Sequence, residues 1–200
     1  MSSLDTNFRT NKAGNLFILS GPSGVGKTTL RDELQKRIPG LRFSVSWTTR
    51  AQRPGEVMGK DYRFVSRKQF EQKLKKDGFL EWARVHDEYY GTPKTPIQRW
   101  TGKGEDVLLD IDIQGARQVK KQIPQAVAVF ILPPSRKELL KRLRQRQTES
   151  LAKIDIRLKN AENEIRSLRQ FDYEVVNQEI ASSVDALEII IKASRFRVKK

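Results

Sequence analysis

The residues with the clearest chemical character form a glycine-rich segment near the N-terminus, Gly21-Pro22-Ser23-Gly24-Val25-Gly26-Lys27-Thr28. Its spacing matches G-x-x-x-x-G-K-[ST], the pattern of a phosphate-binding loop, or P-loop. Glycines let backbone N–H groups turn toward a polyanion, and a following helix presents its positive end to the same anion. Lys27 would then reach the outer phosphates, and Thr28 would offer a hydroxyl to Mg²⁺. The pattern predicts a nucleoside triphosphate site, with a glycine-rich turn of no chemical role as the alternative.

Two aspartates are candidates to hold the water shell of that metal ion. Asp110 and Asp112 close an apolar run at residues 107–111. A P-loop needs a carboxylate at the end of a neighbouring strand for this purpose. Both residues also fit the alternative of an ordinary strand-end or helix-cap aspartate. Of the two, Asp112 is the stronger magnesium candidate.

A second group of residues could bind another phosphate. Arg50 and Arg53 lie three apart in a polar loop, and Tyr62 and Tyr90 offer hydroxyl groups further along the chain. Arginines bind phosphate oxygens in pairs, so this set fits a clamp for a phosphate monoester. Glu81 could accept two parallel N–H bonds, which suits the N1–H and exocyclic amine of guanine. Taken alone, the tyrosines fit half-buried strand positions better than ligand contacts.

The elements that would position these residues follow an alternating pattern. Apolar runs at residues 16–19, 107–112, 127–132 and 173–176 predict buried strands. Helical patterns occupy residues 27–37, 114–122, 135–146, 151–168 and 180–196. Strand–helix alternation predicts an α/β fold, with a parallel central sheet covered by helices. The P-loop lies between the first predicted strand and the first predicted helix, where its mechanism needs it.

Two segments interrupt this alternation. Residues 46–103 contain short strand-like pieces, one helix opened by Ser66, and many turn residues, which indicates an inserted mixed α/β lobe. Residues 136–169 carry eleven Lys/Arg against five Asp/Glu and little apolar content, which predicts helices that stand out in solvent. The core would then comprise residues 1–45, 104–135 and 170–200.

Composition excludes several classes of site. The chain has 39 Lys/Arg and 24 Asp/Glu, a formal charge of +15, which favours nucleic acid, an anionic membrane or phosphorylated small molecules. It has no cysteine and one histidine, which excludes disulfides, a thiol nucleophile and metal sites built from several of these residues. The polar start lacks the apolar core of a signal peptide, and no stretch approaches the roughly 18 apolar residues that span a bilayer. We expect a soluble cytoplasmic protein without a membrane partner.

From about residue 16 to its C-terminus, the chain closely resembles guanylate kinase, the nucleoside monophosphate kinase that phosphorylates GMP with ATP. The resemblance rests on G-P-S-G-x-G-K-T, S-x-T-T-R-x-x-R-x-G-E-x-x-G-x-D-Y from residue 46, E-W at 81, Y-Y-G-T at 89 and L-D-I-D-x-Q-G at 109. It implies a three-layer P-loop fold with a GMP-binding lobe at 46–103 and a lid at 136–169. It also implies that ATP and GMP, and dGMP as a second acceptor, are the small-molecule substrates, with Mg²⁺ as cofactor.

The resemblance also implies a role for each matching residue. The GMP phosphate would be held by Arg50, Arg53, Tyr62 and Tyr90. The guanine would be read by Ser46, Glu81 and Thr92. The acceptor site and the metal water would be organised by Glu56, Asp110 and Asp112, with Thr28 on the metal. ATP would be bound by residues 21–28, Thr29 and Asn177. The transferring group would be contacted by Lys27, Arg50 and the lid arginines Arg142, Arg146 and Arg157.

Three other functions remain as alternatives: a peptide-binding module without catalysis, a nucleic-acid binder, and a kinase of the same fold with another phosphorylated acceptor. The intact P-loop disfavours the first. The charge distribution disfavours the second, because the GMP-binding lobe has thirteen basic against seven acidic residues and the lid eleven against five. Much of the excess charge therefore lies on the two segments expected to close on GMP and ATP. The basic tail at residues 192–200 fits neither site, and the oligomeric state is left open.

Overall fold

The computed structural model describes residues 13–85, 87–145 and 151–197 of the chain. The strands are β1 (Leu16–Ser20), β2 (Arg42–Phe43), β3 (Trp47–Thr48), β4 (Arg63–Phe64), β5 (Phe79–Val85), β6 (Glu88–Pro93), β7 (Val107–Asp110), β8 (Val127–Leu132) and β9 (Tyr173–Val176). The helices are α1 (Lys27–Arg37), α2 (Arg67–Lys75), α3 (Lys94–Gly102), α4 (Ile113–Gln122), α5 (Arg136–Gln145), α6 (Leu151–Ile165) and α7 (Ile180–Ser194). A short 3-10 turn follows α6 at Leu168–Gln170.

The central sheet has five parallel strands in the order β2-β7-β1-β8-β9. The four apolar runs of the sequence form four of these strands, which confirms the predicted parallel sheet. The pattern did not indicate β2, because a two-residue strand is too short to show a period. The run at residues 107–112 ends as a strand at Asp110, and Asp112 is the N-cap of α4.

The middle strand β1 is buried on both faces, as its continuous apolar run predicts. Successive side chains of a strand point to opposite faces. Accordingly, Phe17 and Leu19 join an apolar cluster with α1 and α7, whereas Leu16 and Ile18 join a second cluster with α3 and α4. The core thus has three layers, a sheet between two layers of helices. The P-loop follows β1, which is packed on both faces.

A second sheet of four strands, in the order β4-β3-β6-β5, forms most of the inserted lobe. Strand β6 pairs antiparallel with β3 and β5, and β3 pairs parallel with β4. Ser66 opens α2 with a capping box, in which its side chain and that of Gln69 bond reciprocally to backbone N–H groups. This confirms the predicted helix start. Phe70 of α2 stacks on Phe79 of β5, with 4.3 Å between ring centroids, so the helix is fixed to the sheet.

The helices α5 and α6 pack against each other through an apolar cluster of their own. It contains Leu139, Leu143, Ile154, Leu158 and Ala161, each no more than 5% exposed. An ion pair at 2.7 Å between Arg136 and Glu162 also joins them. The expected exposure of these helices therefore holds for their outer faces only. No helix in the described ranges is long and apolar enough to cross a membrane.

The sequence pattern did not indicate α3, which carries Ile97 and Trp100 into the core cluster around Leu16 and Val107. This end of the inserted segment thus packs on the central sheet, in a cluster that also includes Leu80 of β5. The division of the chain at 46–103 remains a prediction, with its upper boundary inside or just after α3.

Candidate active site

The P-loop connects β1 to α1 through backbone geometry that only glycine adopts readily. Gly26 is the N-cap of α1 in the left-handed region, with φ of 100°. A Cβ atom on Gly21 would lie 2.4 Å from the carbonyl oxygen of Ile131 on the neighbouring strand. Lys27 begins the helix, and its Nζ donates to the Gly21 carbonyl oxygen at 2.7 Å. The loop backbone therefore has the shape of a polyanion site, and the Lys27 side chain folds back over it to Gly21.

This loop opens into a cavity of about 320 Å³ shared with the inserted lobe. Fourteen of the residues predicted for the site line it: Ser23, Gly24, Gly26, Lys27, Thr28, Thr29, Ser46, Arg50, Arg53, Glu56, Tyr62, Tyr90, Asp110 and Arg157. Positions from residue 23 to residue 157 thus meet in one space. The predicted residues outside its lining are Gly21, Pro22, Val25, Glu81, Thr92, Asp112, Arg142 and Asn177, while Arg146 lies outside the described residues.

Arg50 is the best-anchored cation of the acceptor side. Its Nη1 and Nη2 donate to the two carboxylate oxygens of Glu56 at 3.0 and 2.8 Å, and its Nε donates to the Tyr90 hydroxyl at 3.2 Å. Partial burial acts to raise the pKa of Glu56, but hydrogen bonds from Arg50 and from the Arg53 backbone N–H lower it below its ordinary value. Glu56 is therefore ionised at neutral pH and occupies the fork of Arg50.

Tyr62 and Asp110 bring two further ionisable groups to the cavity. Burial, helped by the nearby Asp110 carboxylate, raises the pKa of Tyr62 to about 12, so its hydroxyl remains a hydrogen-bond donor at neutral pH. Burial likewise raises the pKa of Asp110, while the charges of Lys27 and Arg31 oppose that change. The ring of Tyr62 meets that of Tyr90 edge-on, with 6.0 Å between centroids, which places both hydroxyls on the acceptor side.

The three residues predicted to read guanine are joined by hydrogen bonds. Ser46 and Thr92 share a hydrogen bond of 3.2 Å between their hydroxyls, and Thr92 donates to Glu81. Glu81 is 5% exposed. Burial, together with the charge of Asp112, raises its pKa to about 7, although the bond from Thr92 opposes the rise. A Cβ atom on Gly115 would lie 2.7 Å from Glu81 Oε2, so a glycine there leaves the space that the carboxylate fills.

Asp112 has a structural role in the described arrangement. Its Oδ1 accepts from the Gly115 backbone N–H at 2.7 Å and caps α4. This is the helix-cap alternative that the sequence left open, although the capping bond uses only one of the two oxygens. Thr28 and Asp110, which line the cavity, offer the oxygen ligands that Mg²⁺ prefers.

Among the described residues, no group of three or more His, Cys, Asp or Glu could hold a metal ion. The oxygens of Thr28 and Asp110 fit a magnesium ion that a bound triphosphate would help to ligate.

Two of the predicted lid arginines occupy different surroundings. Arg142 donates to the backbone carbonyls of Val25 and Asn177 at 3.2 and 3.0 Å, so it holds the P-loop from outside the cavity. Arg157 of α6 lines the cavity. Asn177 donates from Nδ2 to the Val25 carbonyl at 2.7 Å, and its Oδ1 is buried without a partner among the described atoms.

Sequence reasoning missed three residues that line the cavity, namely Arg31, Phe43 and Asp61. Arg31 follows Lys27 by four positions, so one helical turn places both on the same face of α1. That spacing was the available signal for Arg31. Asp61 lies inside the quoted G-x-D-Y motif, but nothing in the motif says that its carboxylate faces the P-loop helix.

A family model described as guanylate kinase matches residues 13–194, which include every residue that lines the cavity. The chain belongs to the guanylate kinase family. A guanylate kinase of Desulfitobacterium hafniense is 46% identical over 187 residues, covering 94% of both chains. One of Gloeobacter violaceus is 50% identical over 176 residues, covering 88% of this chain and 86% of its own.

A solved structure has the same fold. The guanylate kinase of Anaplasma phagocytophilum is 33% identical, covers 94% of this chain and 89% of its own, and superposes with a TM-score of 0.79. Family membership confirms the resemblance from motifs and the P-loop α/β/α fold. The roles of individual residues remain predictions, and the guanylate kinase comparisons do not test them.

Proposed function

We propose that the chain transfers the γ-phosphoryl group of MgATP to the phosphate of GMP or dGMP, giving ADP and the nucleoside diphosphate. One observation carries the assignment of the site: the P-loop and the arginine–tyrosine group open into the same cavity of about 320 Å³. Two phosphate-binding groups that face one space can bring a donor and an acceptor phosphate together. Positioning of this kind supplies most of the catalysis in phosphoryl transfer.

On the donor side, the N–H groups of the P-loop and Lys27 bind the β- and γ-phosphates. Lys27 exchanges its bond to the Gly21 carbonyl for bonds to phosphate oxygens. A magnesium ion that enters with ATP, with Thr28 and a water held by Asp112 beside it, would neutralise charge on the phosphates. Asn177 lies beyond the loop, and its buried Oδ1, which has no partner among the described residues, would accept a bond from the exocyclic amine of adenine once ATP binding exposes it.

On the acceptor side, Arg50 and Arg53 bind the GMP phosphate, and the hydroxyls of Tyr62 and Tyr90 donate to it. Arg50 must release part of its fork from Glu56 to do so, since that carboxylate occupies two of its N–H groups. No general base is required, because a phosphate monoester is largely ionised at neutral pH. Arg157, together with the lid residues Arg142 and Arg146, supplies positive charge as the two polyanions approach.

Base selectivity comes from Glu81 in its ionised form. Its two oxygens accept from N1–H and from the exocyclic amine of guanine, whereas adenine has no N1–H. Thr92 and Ser46 orient the carboxylate through their hydrogen bonds. A site built on buried polar groups rejects a base that leaves those groups unpaired.

The experiment that tests this function measures ADP release from ATP and Mg²⁺ across GMP, dGMP, AMP, UMP and CMP. We expect turnover with GMP and dGMP and at least about a hundredfold lower kcat/KM with the other three. Equal turnover with AMP would overturn the guanine assignment. Absence of turnover with all five, together with a salt-sensitive shift of nucleic acid on a gel, would favour the nucleic-acid alternative.

A further inference from the structure

Arg31 is a buried cation beside the cavity that the proposed mechanism does not use. It lies on α1 one turn after Lys27, and its side chain is 4% exposed. Burying a guanidinium costs free energy unless charged and hydrogen-bonding partners compensate it. The partners of Arg31 therefore indicate what its burial achieves.

These partners come from three separate segments of the chain. The Nε and Nη2 atoms lie 2.8 and 2.7 Å from Oδ1 of Asp32 on the same helix. Nη2 also lies 3.6 Å from Oδ1 of Asp61 in the inserted lobe. The guanidinium carbon is 4.4 Å from the ring centroid of Phe43, which ends β2 where the chain leaves the core. Arg31 thus connects the P-loop helix, the strand that leads into the inserted lobe, and the lobe itself.

Asp61 in turn closes the loop that presents acceptor-site residues. Its Oδ2 accepts from the Val57 backbone N–H at 2.8 Å, and its own N–H donates to the Val57 carbonyl at 3.0 Å. Arg53 and Glu56 precede this closed turn, and Tyr62 follows it directly. We name residues 53–61 the acceptor loop. A contact that fixes Asp61 therefore fixes the base of the acceptor loop.

The charge of Arg31 also acts within the cavity. It opposes, with Lys27, the rise that burial imposes on the pKa of Asp110. Arg31 therefore acts on the electrostatics of the cavity as well as through its contacts with Asp32 and Asp61.

We propose that Arg31 is a positioning residue that, through Asp61, holds the acceptor loop against the P-loop helix and so sets where the GMP phosphate lies relative to the phosphoryl donor. This inference rests on the proposed function, because it assigns Arg31 to the acceptor half of that reaction. The P-loop and Lys27 lie between β1 and the start of α1, outside the acceptor loop. Loss of the contact should therefore affect GMP far more than ATP.

The first test replaces Arg31 by methionine and by lysine. For Arg31→Met we expect KM for GMP to rise about tenfold and kcat to fall, while KM for ATP stays within about twofold. Lysine retains the charge without the planar fork, so Arg31→Lys should recover part of the loss. The control is Lys36→Met on the exposed side of the same helix, where Lys36 forms an ion pair with Glu33. That variant should match the wild type in both KM values.

The second test combines Arg31→Met with Asp61→Asn. The asparagine keeps an oxygen for the Val57 N–H, but an amide NH2 replaces the Oδ1 that faces Arg31, so the charge and that acceptor are both lost. If the pair acts as one unit, the double variant raises KM for GMP no further than the worse single variant. Calorimetric titration of each protein with GMP alone gives the same comparison without turnover.

Three outcomes would overturn the role of Arg31: equal changes in KM for GMP and ATP, multiplicative effects in the double variant, or a lower melting temperature with both KM values unchanged. Failure of the proposed function is a separate result. It would appear as a wild-type protein that neither binds GMP in the titration nor releases ADP in its presence.

Discussion

The proposed donor side of the cavity is centred on one continuous loop rich in backbone N–H groups, whereas the proposed acceptor side is assembled from side chains between residues 46 and 110. Backbone groups do not titrate, and their position depends on a few glycines. The acceptor side instead depends on ionisable groups whose pKa values are shifted by burial and by each other, as Glu56, Tyr62 and Asp110 show. Changes in sequence or pH should therefore affect the two sides in different ways.

The largest effect should come from Lys27→Ala, which removes the one charged side chain that belongs to the P-loop itself. We expect kcat to fall about 10²- to 10³-fold, because the developing charge on the transferred group loses a fixed cation. GMP binding, measured by calorimetric titration, should stay within about threefold of the wild type. Near-normal turnover, or a parallel loss of GMP binding, would contradict the separation of the two sides.

A smaller effect, confined to the acceptor, should follow from Gly115→Ala. The new Cβ would lie 2.7 Å from Glu81 Oε2 and 3.0 Å from Cδ, so the carboxylate must move. We expect KM for GMP to rise about tenfold, since a charged hydrogen bond to guanine is weakened, with KM for ATP unchanged. Alanine stabilises a helix relative to glycine, so a loss of this kind would not reflect a weaker α4.

Gly102→Ala is the matched control for this variant, because a Cβ atom there would meet nothing within 4 Å. It should match the wild type in KM for both substrates. An unchanged KM for GMP in Gly115→Ala would show that guanine recognition does not need the present position of Glu81.

The last predicted effect is a pH dependence on the acceptor side, similar in size to that of Gly115→Ala. The pKa of Glu81 is raised to about 7, so in the free protein the carboxylate gains a proton as pH falls through 7. Guanine needs the ionised form, and KM for GMP should therefore rise about tenfold from pH 8 to pH 6. KM for ATP should vary much less, because the P-loop binds through groups that do not titrate in this range.

The GMP phosphate itself ionises near pH 6, which changes KM in the same direction. Glu81→Gln separates the two contributions, because this variant retains only the part that belongs to the phosphate. Parallel profiles of KM against pH for the wild type and Glu81→Gln would contradict the titration of Glu81.

The P-loop and its place between β1 and α1 could be predicted from the sequence. Its residues are contiguous, and the strand before them and the helix after them both show clear apolar patterns. The motifs also led to the polar residues of the acceptor side, but not to their arrangement. Glu56 fills the fork of Arg50, and Arg142 bonds to the Val25 and Asn177 carbonyls. The Arg142 contacts depend on the distances between elements far apart in the chain, and the Arg50–Glu56 pair depends on the conformation of the loop between them.

The same reason explains the elements and residues that the sequence did not indicate. Helix α3 has an ordinary composition, and its role becomes clear only when Ile97 packs beside Leu16. Arg31 has the sequence context of a solvated helix residue, because Asp61 and Phe43 are distant in the chain. Burial of a charge arises from tertiary packing, and local periodicity contains no signal for it.

The pairing of Arg50 with Glu56 affects how well small anions in solution compete for Arg50. A tethered carboxylate competes for the guanidinium at a high effective concentration, so free sulfate or inorganic phosphate gains little by approaching it. If Glu81 holds the base of a nucleotide, the phosphate of that nucleotide is also tethered, and its effective concentration at Arg50 is comparable to that of Glu56. If GMP binds as proposed, its tethered phosphate would displace Glu56 from Arg50 more readily than a free anion would.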